Sequence, residues 1–277
     1  MTTGQQREAW SWDEAVAALA AHPSATCVVT DFDGTLAPIV ADPDAARPLP
    51  GAPATLARLA ARFGRVAVVS GRPAAFIGTH LGLSSPLPDN LRVVGIYGLE
   101  SLGSHGGVVV HPGAEEWRAV VAEAADRAEA AAPAGVQVER KGLSVTLHWR
   151  GVPTGRGWAE EFAREAAAAL GLAAHPAKSS CELRPPLAVD KGSAVAELAA
   201  GFSAACYLGD DLGDLPAYAA LDRLRESGAV AVKVAAAGPE VPAEVVGAAD
   251  LVVDGPEAAL AFLEDLADRA GEAEADG

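Results

Sequence analysis

Four short stretches carry side chains whose types and spacing could do chemistry. The first, TDFDGTLAPI at residues 30–39, sets Asp31 and Asp33 two apart, just after the apolar run Cys27–Val28–Val29. A carboxylate at a strand end can attack phosphorus as a nucleophile. A second one two residues on can protonate the leaving oxygen and then activate water. Gly34 permits a turn that side chains would obstruct. Asp-x-Asp-Gly alone also spells an acidic turn. The buried-looking run before it favours chemistry, because charge at such a place is costly unless a cation meets it. The second stretch, Ser70-Gly71-Arg72, closes another apolar run. Its hydroxyl and turn amides could hold a phosphoryl oxygen, although Ser-Gly is also an ordinary turn. The third is Asp190-Lys191-Gly192. Asp190 suits a helix N-cap, but a lysine at a helix start gains nothing from the macrodipole. That mismatch gives Lys191 a task against phosphate or carboxylate. The fourth, LGDDLGDLPAY at 208–218, crowds Asp210, Asp211 and Asp214 at one strand end. Like charges so close repel unless a cation sits among them. Hard oxygen donors with few partners suit Mg²⁺, and a capped helix start is the plainer alternative.

Each stretch follows a predicted strand or opens a predicted helix. The spacing predicts a helix over 11–22, with Ser11 and Glu14 forming a capping box, then a strand near 25–30. A helix over 54–63 follows, and then the apolar runs 65–72 and 91–98. These runs are Val-rich without polar alternation, which marks a parallel sheet covered on both faces. Ligands of such sheets bind at the carboxyl ends of the strands. Near residue 102 the pattern changes. A glycine-rich strand and a helix over 114–131 precede the stretch 136–150, where Val136, Val138, Leu143, Val145, Leu147 and Trp149 alternate with polar residues. That is the period of an antiparallel sheet with one wet face. A helix over 157–170 and a strand ending in CELRP complete this unit. The first pattern then resumes with helix 192–201, strand 205–210, helix 214–226, strands 229–234 and 250–255, and helix 256–268. The expected fold is α/β, a doubly wound, mostly parallel, Rossmann-like sheet built from 1–102 and 183–277. An inserted α+β cap covers 103–182. The tail GEAEADG is expected to be disordered.

The chain has 277 residues, half of them hydrophobic, enough for two cores. Its net charge of −16 argues against nucleic-acid and membrane-surface binding. Any phosphorylated ligand needs local cations or a metal to overcome that field. The three cysteines, Cys27, Cys181 and Cys206, are far apart and form no Cys-x-x-Cys, so no disulfide framework or zinc site is expected. The first residues lack a basic stretch followed by an apolar one, and no run is long enough to span a bilayer. A cytoplasmic monomer is expected.

In their order, the four stretches resemble the haloacid dehalogenase superfamily. The resemblance spans the whole α/β domain. It implies Asp31 as nucleophile and Asp33 as acid/base. It implies Thr35, Ser70, Gly71, Arg72 and Lys191 around the phosphate. The metal would be held by Asp31, the backbone carbonyl of Asp33, and Asp210, with Asp211 and Asp214 beside them. Three further strings, DFDGTLAPIV, VERKGLSVTLHWR and CELRPPLAVDKGSAV, look like the trehalose-6-phosphate phosphatases. One departure is that the final motif of that family, GDDxTDExxF, carries Gly213 for Thr and Leu215 for Glu here. The resemblance implies that Lys141, Glu182 and Arg184 contact sugar. Carboxylates accept from sugar hydroxyls, while Lys and Arg donate. Glu139, Arg140 and Lys141 also read as a solvated hairpin tip, and Glu182 with Arg184 as a surface ion pair. Trp117 and Trp149 read as core. The expected activity is Mg²⁺-dependent hydrolysis of trehalose 6-phosphate. The alternatives are another sugar phosphate such as sucrose 6-phosphate, a sugar phosphomutase, or a silent sugar-phosphate-binding domain.

Overall fold

The computed structural model describes residues 10–275 apart from 41, 84, 178 and 240. Ser11 caps the first helix, α1 (Trp12–Ala20), and the Glu14 carboxylate accepts from the Ser11 amide at 3.0 Å. Alternation of strand and helix follows: β1 (Thr26–Thr30), α2 (Ala52–Ala60), β2 (Arg65–Val69), α3 (Ala74–His80) and β3 (Leu91–Gly95). Two short strands follow: β4 (Glu100–Leu102) pairs antiparallel with β3, and β5 (Val108–Val110) antiparallel with β4. The chain then leaves this sheet for α4 (Arg118–Ala131), β6 (Gln137–Arg140), β7 (Val145–His148), α5 (Arg156–Leu170), β8 (Ala173–Pro176) and β9 (Ser180–Arg184). It returns through α6 (Lys191–Leu198), β10 (Ala204–Gly209), α7 (Leu215–Glu226), β11 (Val230–Ala237), α8 (Ala243–Ala248), β12 (Leu251–Asp254) and α9 (Gly255–Ala275).

The large sheet has the order β12-β11-β10-β1-β2-β3-β4-β5, and the run from β12 to β3 is parallel. Its strands are buried on both faces, which explains their unbroken Val content. Alternate residues face opposite ways. Val28, Val66, Val68 and Leu208 pack under α1, α2, α3 and α9. Val29, Val69 and Tyr207 pack under α6, α7 and α8. From β1 the chain runs outward to β2 and β3 on one side, and later to β10 and β11 on the other. The crevice therefore opens between the carboxyl ends of β1 and β10.

The second sheet has the antiparallel order β6-β7-β9-β8. Val145, Leu147, Cys181 and Leu183 turn to α4 and α5 and form their own core. Trp149 is buried there and Trp117 packs on its edge, as the core reading of both expected. The polar residues between them line the opposite face.

Three details depart from expectation. The strand at 108–110 belongs to the large sheet, so the four-stranded unit begins after it and runs through Arg184. The acidic tail is helical through Ala275, because Ala and Glu are strong helix formers and extend α9. Residues 276 and 277 lie outside the described residues. Short elements such as α3, α8 and β8 carry too little periodicity to be read from sequence. Among the described residues, no helix is long and apolar enough to cross a membrane.

Candidate active site

The loop after β1 is built by alternation. Phe32 and Leu36 are fully buried and anchor it, which turns Asp31, Asp33 and Thr35 toward the crevice. The Asp31 amide extends the ladder by donating to the Leu208 carbonyl at 2.8 Å. Its carboxylate accepts from the Phe32 amide at 2.6 Å. Gly34 has φ +73°, and a Cβ there would stand 2.1 Å from Asp210 Oδ2. Only glycine lets the carboxylate after β10 come this close to the loop after β1.

That approach gathers charge. One carboxylate oxygen from each of Asp31, Asp210 and Asp214 lies within 4.8 Å of the others, and all three residues are buried. Among the described residues, one ammonium faces them. Lys191 Nζ sits 2.8 Å from Asp31 Oδ2 and 2.7 Å from Asp214 Oδ1, with a side chain only 3% exposed. Asp190 and Ser193 form a capping box that fixes the helix start, and so the root of Lys191. Burial works against the charged lysine, but the carboxylates of Asp214 and Asp31 outweigh it and raise its pKa well above the ordinary value. Burial pushes Asp31 well above the usual carboxylate range, while Lys191 pulls it down. Burial, then the charges of Asp31, Asp214 and Asp211, push Asp210 up to about 9. Too many carboxylates therefore share too little positive charge. A hard divalent cation would relieve this, and the buried carboxylate oxygens are the donors such an ion takes.

The acidic residues are not equivalent. Asp214 Oδ1 accepts from Lys191 Nζ at 2.7 Å and the Tyr207 hydroxyl at 2.5 Å. Its Oδ2 accepts from the amides of Asp210 at 2.8 Å and Asp211 at 2.9 Å. Four bonds occupy the lone-pair sites of a carboxylate, so Asp214 orients Lys191 and the loop that carries Asp210. Asp211, expected near the metal, instead caps the turn at 212–214, accepting from the Gly213 amide at 2.8 Å. The Asp33 carboxylate also stands apart from the cluster.

Arg72 holds Asp33 with a two-pronged fork, Nε–Oδ2 at 2.7 Å and Nη2–Oδ1 at 3.0 Å. Arg72 was expected around the phosphate; its guanidinium here engages the second aspartate, with the Phe76 ring 4.9 Å beneath it. Ser70 Oγ accepts from the Arg72 amide at 3.2 Å. Thr35 Oγ1 is buried with no hydrogen-bond partner. The loop 70–72 is clamped by the turn after β3. The Ile96 amide donates to the Arg72 carbonyl and the Tyr97 amide to the Ser70 carbonyl. Ile96 and Tyr97 both have positive φ, 45° and 59°, a strain that a β-branched residue tolerates only when its surroundings enforce it. Gly71 leaves room for the Tyr97 ring, which would lie 2.6 Å from a Cβ there.

The polar face of the second sheet closes the crevice. Glu182, buried, accepts from Ser144 Oγ at 2.6 Å and from Lys141 Nζ at 3.3 Å. Burial raises its pKa, but the charges of Lys141 and Arg184 and these hydrogen bonds bring it below the ordinary value. Arg184 makes no ion pair with Glu182. Its guanidinium lies 4.2 Å over the Tyr97 ring, and its Nε is buried without a partner. Arg140, on the opposite face of β6, pairs with Asp126 and Glu129 at the surface, as the solvated reading expected.

Glu139, His148 and Tyr97 were missed. Glu139 Oε2 lies 2.7 Å from His148 Nε2, and its Oε1 lies 3.7 Å from Arg72 Nη1 across the seam. Burial would raise its pKa, but the His148 hydrogen bond and the charges of Lys141, His148 and Arg72 bring it down to about 2. The signal was available, since Glu139 stands two residues before Lys141 in a stretch of strand-like alternation, the spacing of residues on one face. Arg72, Phe76, Glu139, His148 and Asp44 line a cavity of about 410 Å³ on the Asp33 side of the crevice, a size typical of small-molecule sites.

Comparison with known proteins bears on this arrangement. The sequence matches the trehalose-phosphatase family over residues 29–244, which hold all four chemical stretches. It is 35% identical over 266 residues to a trehalose-phosphate phosphatase of Mycolicibacterium paratuberculosis, covering 90% of this chain and 63% of that protein. A protein of the same name from Mycobacterium avium is 34% identical over 266 residues, with the same coverage. The chain thus spans 63% of the length of these relatives. Among solved structures, the C-terminal domain of a C. albicans trehalose-6-phosphate phosphatase superposes with a TM-score of 0.75 at 22% identity, covering 96% of this chain and 99% of that one. A haloacid dehalogenase-like hydrolase from Bacteroides thetaiotaomicron gives a TM-score of 0.58 at 15% identity, covering 90% and 99%. At such identities the likeness is one of fold, the α/β core with its inserted second sheet. The match over residues 29–244 and the 35% relative go further, and with them the chain belongs to the trehalose-phosphatase family.

Proposed function

We propose that the chain hydrolyses trehalose 6-phosphate to trehalose and phosphate, with Asp31 as nucleophile. The observation that carries this reading is the buried Asp31 carboxylate at a strand end, 2.8 Å from Lys191, with Asp33 held two residues on. Asp31 Oδ attacks phosphorus, and the bond from phosphorus to the sugar 6-oxygen breaks. Asp33 gives its proton to that oxygen, and trehalose leaves. Asp33 then takes a proton from a water that attacks the aspartyl-phosphate, which frees phosphate and restores Asp31. Lys191, Ser70 and Thr35 hold the phosphoryl oxygens. Lys141, Glu182 and Arg184 take sugar hydroxyls, and Glu139 joins them. Asp31, Asp210 and the Asp33 carbonyl would hold Mg²⁺, which when bound supplies positive charge against the phosphoryl oxygens. The second sheet acts as a cap that excludes stray water. The protein works in the cytosol as a monomer, where the three buried, unpaired cysteines stay reduced.

The test is phosphate and trehalose release from trehalose 6-phosphate by the purified chain, with Mg²⁺ or with a chelator. Equal amounts of both products, lost with chelator and regained with Mg²⁺, are expected. Binding of the sugar phosphate without phosphate release would overturn the reading in favour of a silent binding domain.

Two substitutions probe the positioning of the two aspartates. Gly34→Ala forces a left-handed alanine, costing about 1–2 kcal/mol, and drives its Cβ into the Asp210 carboxylate. Turnover should fall by about 10²-fold, the usual effect of a 1 Å misplacement, with the urea midpoint lowered. Unchanged turnover would mean that Asp210 need not sit over Gly34. Arg72→Lys keeps the charge but loses the fork. It should lower kcat by about 10-fold, corresponding to about 1.4 kcal/mol, with little change in KM. A rise in KM alone would return Arg72 to the phosphate.

A further inference from the structure

Thr146 lies at the centre of the polar face of the second sheet. Its neighbours on β7, Val145 and Leu147, enter the apolar core under α4 and α5, so Thr146 faces the other way, toward the crevice. Register sets it directly between two carboxylates, Glu139 on β6 and Glu182 on β9. Lys141 Nζ spans the same gap, 3.3 Å from Glu182 and 3.7 Å from Glu139. Ser144 gives its hydroxyl to Glu182, and Glu139 is met by His148. Each of these neighbours is partnered. Thr146 Oγ1 is not, although the residue is only 3% exposed.

A buried hydroxyl without a partner weakens the free protein. Valine has the same shape, suits a strand at least as well, and carries no such penalty. The flanking groups identify what would satisfy the hydroxyl. Two carboxylates accept, an ammonium donates, and the charges of Glu139, Glu182, Lys141 and Arg184 balance. Such a surface takes a neutral, hydroxyl-rich ligand rather than an anion.

We propose that Thr146 is a sugar-binding specificity residue, whose hydroxyl pairs with a ring hydroxyl of the substrate's uncharged sugar. This rests on the functional reading above and adds a residue to it. Thr146→Val should raise KM for trehalose 6-phosphate by about 3–10-fold more than KM for a small aryl phosphate, the range of one neutral hydrogen bond. The effect should fall on KM rather than kcat. Thr146→Ser should recover KM, and Thr146→Val should melt no lower than the wild type. Equal KM shifts on both substrates, or none, would overturn the proposal. Calorimetric titration with trehalose separates the two failures. If the wild type releases no phosphate yet binds trehalose, the functional reading fails. Thr146 is then still supported if Thr146→Val weakens that binding, and refuted if it does not. Absence of both turnover and trehalose binding in the wild type would overturn both.

Discussion

Asp31→Asn should lower phosphate release from trehalose 6-phosphate by about 10⁴-fold or more, the scale on which loss of a nucleophile acts. Asparagine keeps the shape of the side chain, and its amide cannot displace a phosphate ester. The fold should survive. Asp31 is buried against its own charge, with burial the largest influence on it, so a neutral isostere removes a desolvation cost. Lys191 keeps its contact with Asp214 at 2.7 Å. The check is phosphate release beside a urea unfolding curve. An unfolded variant would say nothing about chemistry, so the midpoint must hold. Turnover retained within tenfold of wild type in a folded variant would remove Asp31 from the mechanism.

Lys191→Met should disable the protein in a different way, by loss of both activity and stability. The ammonium is the charge partner of two buried carboxylates, Asp31 and Asp214, whose side chains are 5% and 0% exposed. Removing one partner of a buried pair leaves uncompensated charge and costs about 3–5 kcal/mol. That is a large share of the roughly 5–15 kcal/mol that holds a typical domain together. Methionine fills similar volume, so packing is not the cause. Adding Asp214→Asn to Lys191→Met should restore part of the loss, because one orphaned charge is gone and the two sites are coupled. Urea unfolding of the single and double variants measures this. A double variant that simply sums two destabilising effects would contradict the pairing.

The gathering of these side chains was legible in the sequence at the ends of apolar runs, because strand ends in a parallel sheet converge by construction. Asp31, Ser70 and Asp210 follow β1, β2 and β10, which are neighbours in the sheet. The second sheet was legible through its alternation. Spacing could not assign the acidic residues individually. Asp210 and Asp214 are equally acidic on paper, and only the four hydrogen bonds to Asp214 separate a clamp from an open donor. Nor could spacing find contacts across the seam. Nothing in the spacing pairs Arg72 with Asp33, which its fork holds, and Glu139 looks like hairpin surface until Arg72 and His148 approach it. Residues 108–110 read as a strand, but nothing local says which sheet they join.

The most direct test of the central claim is kcat/KM for phosphate release across trehalose 6-phosphate, sucrose 6-phosphate and glucose 6-phosphate, at fixed Mg²⁺. A site built to hydrogen-bond sugar hydroxyls discriminates strongly against substrates that leave its polar groups unpaired. The account expects trehalose 6-phosphate to be preferred by about 10²-fold or more. Similar values for all three, or a preference for another sugar, would keep the aspartate chemistry and contradict the assignment of the polar face of the second sheet to trehalose.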